Sequence, residues 1–492
     1  MKKISLFPFF ISICAFLFAS CDILVSDRDE EGAFEEAIRD AAREKGLSLP
    51  LSEREFEMLP IELQEFEMTY ELLDLFYLYA HTKHELGDRN DYYDVSGTLP
   101  EYRKYPAEYS DIYYMFDQMS CPFTNYFDPS FSEMIADALF YSDYDVGFGI
   151  RLDTIEQPAS GSAVVLNVFP NSPAEKAGIK EGDVIISIDD NPVNRQDVEE
   201  QETASKDGDK FKFVVSRGET LDTLNIKVQK VKTPTVFVNY RGDIPMITIS
   251  EFTDTTITNE GTYGEFKDAL EQTAGAKATI INLADNGGGS VDHCEPMAAE
   301  LLPANTVLGY SINADIDTIH DYTQIIDTVP MLPSDYGKTG DGMANDRYIV
   351  FIQNGGTASC SELMISAVTA ARNAPVVGTR SYGKGIGQYY FETPAGGYAG
   401  VTSSQFFDKN HNSYHTYGIE PDIIKLSLKD AVNAAFEIAE EGTMVRTAGY
   451  SNTPTGHFPS LTRKSKSGGK PQFNRRDHFG AFKVKKSPIK GR

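Results

Sequence analysis

Residues 235 to 435 alternate apolar runs with helical segments, and this alternation restricts the possible folds more than any other feature. The apolar runs include IPMITISEF, KATIINL, RYIVFIQ and APVVGT, and the segments between them include YGEFKDALEQ, VDHCEPMAAELL and SELMISAVTAARN. Such alternation predicts parallel strands joined by crossover helices. Residues 312 to 346 interrupt it and predict a loop or lid. We therefore expect an α/β core in this range.

Two other regions precede this core, as expected for a chain of 492 residues, which is too long for one ordinary core. Residues 34 to 140 predict a helical domain, in which the run YSDIYYMFDQM is helix core. One face of a helix there is marked by Leu63, Phe66, Tyr70, Leu73 and Tyr77. Residues 145 to 232 contain short β-type runs separated by glycine, asparagine and proline, which predict a β-rich domain.

Residues 1 to 21, MKKISLFPFFISICAFLFASC, predict a secretory signal, with two lysines before an apolar stretch too short for a stable membrane span. The signal ends in Phe-Ala-Ser-Cys and resembles the bacterial lipobox, in which the cysteine is lipidated. Cys21 is then the lipidation site of an exported lipoprotein, held at the bilayer of the cell envelope, with the outer membrane expected. The alternative is an ordinary signal peptide cleaved nearby. Residues 22 to 33 predict an acidic tether.

Charge and cysteine content exclude several classes of protein. The formal net charge of −28 argues against nucleic acid as a partner, because so acidic a chain repels phosphate. Beyond Cys21 only Cys121, Cys294 and Cys360 remain, and this odd number at wide spacing predicts no disulfide framework. No zinc-type cysteine pairs occur, so no metal site or cofactor is predicted. Residues 441 to 492 predict a basic, disordered tail.

Three loops of the predicted core follow strands, at residues 284–289, 354–361 and 380–385. In an open α/β sheet, ligands bind beyond the carboxyl ends of parallel strands, where the loops share one edge. If the crossovers are right-handed, the three loops lie on the same side. Ser359 and Lys384 then become potential neighbours.

Ser359 has two interpretations. With Glu362 three residues later, it fits the serine-x-x-glutamate box that caps a helix. A serine beside a lysine can also be a nucleophile, if desolvation leaves the lysine neutral enough to accept the hydroxyl proton. The glycine loop after KATIINL and the amide of Cys360 at a helix start offer backbone N–H groups for an oxyanion.

The segment SPAEKAGIKEGDVIISIDDNPV, residues 172 to 193, resembles a PDZ domain, which implies a short helix from Ala174 to Ala177 ending at the glycine of AGI. The preceding GFGI lies where PDZ domains hold the terminal carboxylate of a peptide. The residues predicted to bind it are Gly147, Phe148, Gly149 and Ile150. Glycines there let consecutive N–H groups converge on an anion, and a strand edge pairs with the peptide. The alternative is a domain that serves packing alone.

The motifs TASCSE, YGKG and GIEPDI together resemble the C-terminal processing protease family, Ser/Lys endopeptidases with an embedded PDZ domain. The resemblance covers residues 60 to 430 and implies a multidomain fold with a ββα-repeat, crotonase-like core. It implies that Ser359 is the nucleophile and Lys384 the base. Positioning roles fall on Glu362 and Gln388, and the oxyanion donors are Gly288 and Cys360. The sequence departs from the family pattern at Ala284, Gly287 and Cys360.

The resemblance therefore implies a serine endopeptidase that acts on unfolded or C-terminally exposed polypeptides, with the oligomeric state left open. A non-catalytic peptide-binding lipoprotein and a hydrolase of non-peptide esters are the alternatives. His293 is interpreted as a satisfied polar histidine, not as the base of a Ser-His-Asp triad. His411 and His415 lack the clustered partners of a metal site. No GxSxG elbow surrounds Ser359.

Overall fold

The fold was analysed in a computed structural model. It describes residues 56, 58–132, 135, 145–254, 256–313, 329–331 and 342–447. The predicted signal with Cys21, the acidic tether, most of the predicted lid and most of the basic tail lie outside the described residues. The chain divides into two compact units, of which the first combines residues 1–132, 307–340 and 386–406. No helix in the described part of the chain is long and apolar enough to cross a membrane.

The first unit contains three α-helices among the described residues: α1 (Ile61–Phe76), α2 (Leu78–Thr82) and α3 (Ser110–Gln118). Helix α1 carries the predicted apolar face, with Phe66 and Leu73 buried. The tyrosine-rich run forms α3 and buries Ile112, Tyr113, Met115 and Phe116, as predicted for helix core.

The first unit also holds a sheet that was not predicted for residues 34–140. Strand β1 (Asn125–Phe127) pairs antiparallel with β18 (Tyr398–Asp408), which also pairs with β17 (Ile386–Glu392). The remaining strands of this sheet are β13 (Gly309–Asn313) and β14 (Val329–Met331). Buried Glu65 of α1 accepts from the Tyr126 hydroxyl at 2.6 Å and from the Ala395 N–H at 2.7 Å, which links α1 to both β1 and the β17–β18 turn.

The second unit begins with the predicted β-rich domain. Strand β2 (Asp145–Gly147) pairs with β9 (Gln229–Val231). The larger sheet has the order β3-β4-β5-β7-β8, with β6 beside β5. Its strands are β3 (Ile150–Leu152), β4 (Ala163–Val168), β5 (Val184–Ile188), β6 (Asn191–Pro192), β7 (Lys210–Arg217) and β8 (Thr220–Lys227).

Two helices cover this domain, α4 (Pro173–Ala177) and α5 (Arg195–Ala204). Ser172 caps α4, accepting from the Glu175 N–H, and the helix ends at Gly178 with φ of +90°, a conformation that glycine adopts without strain. The short helix inferred from the PDZ resemblance is therefore present where it was expected. Val198 of α5 is fully buried in the domain core, so this helix is anchored by its middle turn.

The α/β core has the sheet order β10-β11-β12-β15-β16-β19. Strands β10 (Val236–Arg241) and β11 (Ile244–Ile249) are antiparallel, whereas every later pair is parallel, as the sequence predicts. The parallel strands after β11 are β12 (Ala278–Asn282), β15 (Tyr348–Gln353), β16 (Val376–Gly378) and β19 (Ile423–Ile424). Each residue of β11, β12 and β15 is buried, which explains their continuous apolar sequences.

The helices of the core are α6 (Gly261–Gln272), α7 (Val291–Glu300), α8 (Cys360–Ala371) and α9 (Leu428–Thr447). Helix α9 packs Ala435 and Phe436 with Ile280 and Val350 of the sheet. It continues to Thr447, so residues 441–447 belong to this helix and not to the predicted tail. Residues 386–406, which lie within the predicted core of 235–435, belong to the first unit.

Candidate active site

The three predicted loops meet at the carboxyl ends of neighbouring strands β12, β15 and β16. The Ala358 N–H donates to the Asn286 carbonyl at 3.0 Å, and the Tyr382 N–H donates to the Thr357 carbonyl at 2.9 Å. The Asp285 N–H adds a bond of 2.9 Å to Asn354 Oδ1. Each loop is therefore joined to a neighbour by a backbone donor, as expected for loops that share one edge of the sheet.

Ser359 stands immediately before α8 with φ of 54° and ψ of −118°. Only glycine adopts positive φ routinely, and a non-glycine residue held there costs of order 1–3 kcal/mol. Such strain is retained where the surrounding contacts determine the conformation, and it is common at functional sites. The sharp turn at Ser359 is thus more than an ordinary helix cap requires.

Glu362 joins the second and third loops through one buried carboxylate. Its Oε2 accepts from the Ser359 N–H at 3.0 Å and from the Lys384 N–H at 2.7 Å. Its Oε1 accepts from the Ser381 hydroxyl at 2.5 Å and from the Gly383 N–H at 2.7 Å. Because two of these bonds end on the same oxygen, the backbone nitrogens of Ser359 and Lys384 are no farther apart than the sum of the two bond lengths.

The protonation of Glu362 is set by two opposing effects. Burial raises its pKa to about 7, against the hydrogen bonds from Ser381, Gly383, Lys384 and Ser359, which lower it. A carboxylate has lone pairs for all four donors, whereas a protonated oxygen becomes a donor itself. The ionised form therefore suits the site's geometry, while the neutral form suits its burial.

Lys384 is 6% exposed, so the domain interior surrounds a side chain that is normally solvated. The glycines on both sides let its loop approach the segment of residues 414–418. A Cβ on Gly383 would lie 2.8 Å from the Gly418 nitrogen, and one on Gly385 would lie 3.0 Å from the His415 nitrogen. The Gly-Lys-Gly spacing is therefore required by close packing of the backbone.

Gly288 lies against the nucleophile candidate, and its N–H has an acceptor in this structure. A Cβ on Gly288 would be 2.7 Å from Ser359 Cβ and 3.0 Å from the Cys360 nitrogen. Its N–H, however, donates to Asn286 Oδ1 at 2.9 Å, in the side-chain turn that asparagine favours. Among the described residues nothing accepts from the Cys360 N–H. Of the two predicted oxyanion donors, only Cys360 therefore has a free amide in this conformation.

Cys294 and Cys360 form a disulfide, with Cα atoms 5.7 Å apart. The prediction that the cysteines form no disulfide is therefore wrong for this pair, while Cys121 is free and buried. The pair is 66 residues apart in sequence and becomes adjacent only because α7 and α8 follow loops at the same sheet edge. The bond fixes the first residue of α8, directly after Ser359, to helix α7.

Gln388 and His293 each have a hydrogen-bond partner among the described residues. Gln388 is on β17 in the first unit, where its side-chain amide donates to the Phe123 carbonyl, so its positioning role stays a prediction. His293 is buried, its Nδ1 accepts from the Tyr263 N–H at 3.1 Å, and its Nε2 lies 2.6 Å from Asp254 Oδ1. His293 is therefore a satisfied polar histidine, as predicted.

The described residues contain no cluster of acidic, histidine and cysteine side chains that could hold a metal.

The predicted peptide-binding residues connect β2 to β3 in the β-rich domain. Gly147 ends β2 and Ile150 begins β3. The N–H of Phe148 already has an acceptor, the Glu202 carboxylate, at 2.7 Å.

Several residues of the two sites were missed in the sequence. Ser381 accepts from the Ile419 N–H at 2.6 Å while it donates to Glu362, so it ties the GIEPDI segment to the site. Asn286 holds its loop through bonds to Gly288 and to the Ile249 carbonyl. The Ser381 bonds and the Asn286 bond to Ile249 have no local signal, because they join segments far apart in sequence, whereas the Asn286 bond to Gly288 lies within one turn.

Mutation of the disulfide is expected to lower stability. Cys294→Ser should decrease the free energy of unfolding by about 4 kcal/mol in a chain-entropy description, since the bond closes a loop of 66 residues. Denaturant unfolding with and without a dithiol reductant measures this. The parent and Cys121→Ser should lose stability on reduction, whereas Cys294→Ser should not. Equal sensitivity to the reductant in all three proteins would contradict the assignment.

Stability should also fall as pH rises through the titration of Glu362. Burial raises the pKa of the native Glu362 carboxyl to about 7, above its ordinary value of 4.5. The native state therefore binds more protons than the unfolded state between these values, and the free energy of unfolding decreases with rising pH. Denaturant unfolding from about pH 5 to about pH 7 measures the slope. Glu362→Gln should flatten the dependence of the unfolding free energy on pH, whereas Glu437→Gln, at an exposed position of α9, should leave it unchanged. An unchanged slope in Glu362→Gln would count against this titration.

The comparisons with known proteins follow the same division of the chain. Residues 243–425 match the profile of peptidase family S41, and residues 146–228 match that of the PDZ domain. Relatives from Staphylococcus aureus and Staphylococcus haemolyticus, each named "Probable CtpA-like serine protease", are 26% identical over 283 and 285 residues. Each match covers 56% of this chain and 52% of the relative, so the matched part spans about half the length of these curated relatives.

A crystal structure assigned as an S41 protease, from Bacteroides fragilis NCTC 9343, has the same fold, with a TM-score of 0.52 at 15% identity. The similarity covers 76% of this chain and 97% of that one. The two profiles and this shared fold show an S41 peptidase domain preceded by a PDZ domain, the combination implied by the resemblance to the C-terminal processing protease family.

Proposed function

We propose that this protein is a serine endopeptidase with a Ser359/Lys384 dyad, which cleaves unfolded or C-terminally exposed polypeptides. The observation that carries the proposal is the Glu362 carboxylate, which binds the backbone N–H groups of both residues through one oxygen. A simple helix cap has no need of the second bond, to a lysine 22 residues further along the chain. The strained φ of Ser359 and the burial of Lys384 support the same role.

The proposed chemistry passes through an acyl-enzyme. Ser359 Oγ attacks the carbonyl carbon of the scissile peptide while its proton passes to neutral Lys384 Nζ. The tetrahedral intermediate collapses as the C–N bond breaks, and Lys384 gives the proton to the leaving amine. Lys384 then takes a proton from a water molecule, whose oxygen attacks the ester carbon. Collapse releases the new carboxyl terminus, and the proton returns to Ser359.

The oxyanion would be stabilised first by the Cys360 N–H, at the amino terminus of α8. This amide has no acceptor among the described residues, and the helix dipole favours negative charge at the same end. Gly288 lies close enough to contribute, but its N–H must first leave Asn286 Oδ1. The Cys294–Cys360 disulfide would hold the Cys360 amide in place during the reaction.

Substrate capture and location complete the proposal. The GFGI loop would bind the terminal carboxylate of a polypeptide through its backbone N–H groups, and Gln388 would help to position Lys384. Cys21 would carry the lipid that attaches an exported protein to the cell envelope. These parts rest on the sequence motifs and on the presence of a PDZ domain.

Loss of either dyad residue should abolish proteolysis of denatured casein. In the form lacking residues 1–21, Ser359→Ala and Lys384→Ala should each lower kcat/KM by at least about 10³-fold, and the double variant should lose no more, since both residues act in one unit. Matched controls are Ser366→Ala on α8 and Lys277→Ala, an exposed lysine just before β12. Both controls should cut at the parent's rate.

The same assay separates the two alternatives. Peptide binding without any cleavage by the parent would identify a non-catalytic peptide-binding protein. Cleavage of small activated esters without cleavage of casein would identify a non-peptide hydrolase. Parent-like proteolysis by both dyad variants would contradict the proposed mechanism.

A further inference from the structure

The carboxylate loop of the PDZ domain is occupied by a carboxylate from the domain itself. Glu202 Oε1 accepts from the Phe148 N–H at 2.7 Å. The same oxygen lies 2.4 Å from the position that a Cβ on Gly147 would take, and Glu202 Cδ lies 3.1 Å from it. The side chain thus fills the space that the first glycine of GFGI leaves open. A hydrogen bond to an ionised acceptor is among the stronger ones in proteins.

The position of Glu202 on its helix supports this as a specific contact. Glu202 lies in the last turn of α5, and this turn contains no basic residue. Negative charge is unfavourable at a helix carboxyl terminus, so a carboxylate there benefits from an external N–H donor. The helix itself is held in place by buried Val198 and by the capping box of Asn194 with Asp197.

A peptide's terminal carboxylate would have to enter the same loop. Strand β3, which follows the loop, pairs with β4 on one side and is at the end of its sheet. A peptide added at this edge would place its carboxylate at the Phe148 N–H. Two carboxylates that share one site repel each other, so the peptide and Glu202 cannot both bind there in ionised form.

We propose that Glu202 is an internal ligand of the GFGI loop and competes with the chain ends that the PDZ domain binds. A free carboxyl terminus binds only when Glu202 leaves the loop. The intact domain therefore binds every free carboxyl terminus more weakly than an open loop would, because each must compete with a tethered carboxylate at high effective concentration. This inference rests on the proposed capture of chain ends by the PDZ domain, and not on the dyad.

The test measures peptide affinity in a chain that cannot cleave its ligand. In the Ser359→Ala background, fluorescence anisotropy compares a pool of labelled decapeptides, randomised at the last four positions, with the same pool amidated at the carboxyl terminus. Glu202→Ala should bind the free-acid pool at least about tenfold more tightly than the background, since the competitor is removed. Binding of the amidated pool should not change.

Two further variants separate charge from contact. In Glu202→Gln the side-chain oxygen can still accept from the Phe148 N–H without a charge, so its affinity should lie between those of the background and Glu202→Ala. Glu200→Ala removes the same charge from an exposed position of α5 and should leave affinity unchanged. Thermal unfolding of each variant checks that the domain remains folded.

The outcomes distinguish this inference from the proposed function. Preference for the free-acid pool with equal affinity in the background and Glu202→Ala would overturn the role of Glu202 and leave capture intact. No preference for the free acid in any folded variant would overturn both capture and this inference. Casein cleavage by the parent, measured in parallel, tests the dyad independently of either result.

Discussion

The buried carboxylate of Glu362 is the interaction on which the candidate active site depends. It accepts four hydrogen bonds, three from backbone N–H groups and one from a hydroxyl, and these come from the turn at Ser359 and from the loop of Lys384. Burial raises the pKa of this group to about 7, so the form that best satisfies its four donors is also the form that burial disfavours. The site is therefore ordered by a charge whose burial costs free energy, and the surrounding fold must offset that cost.

The fold offsets the cost of burying Glu362 by fixing the elements around its carboxylate. The parallel pairs β12–β15 and β15–β16 bring three loops to one edge, and backbone bonds join those loops to each other. The Cys294–Cys360 disulfide attaches the start of α8 to α7 at the residue after Ser359. With several independent constraints on one turn, the positive φ of Ser359 can persist. In the PDZ domain, a carboxylate again accepts from a backbone N–H: Glu202 gives the Phe148 N–H an acceptor.

How much of this structure the sequence predicts depends on how far apart in the chain the interacting residues lie. Strands such as β12 and β15 are buried on both faces and therefore have continuous apolar sequences, which made the parallel core predictable. The pairing of β1 with β18 joins residues far apart in the chain, and no local pattern indicates it. The disulfide and the Glu202 contact were missed for the same reason. The acceptor of the Gly288 N–H was not anticipated: Asn286 bonds within its own turn, a local alternative to an open donor.

The central claim is that Ser359 is a nucleophile activated by Lys384, and covalent labelling tests it most directly. The folded parent is treated with a fluorophosphonate, and intact-mass and peptide mass spectrometry locate the adduct. The account predicts one adduct per chain, on Ser359, formed much more slowly in Lys384→Ala because the hydroxyl then lacks its base. A parent that forms no adduct, or one labelled on another serine at a rate independent of Lys384, would contradict it.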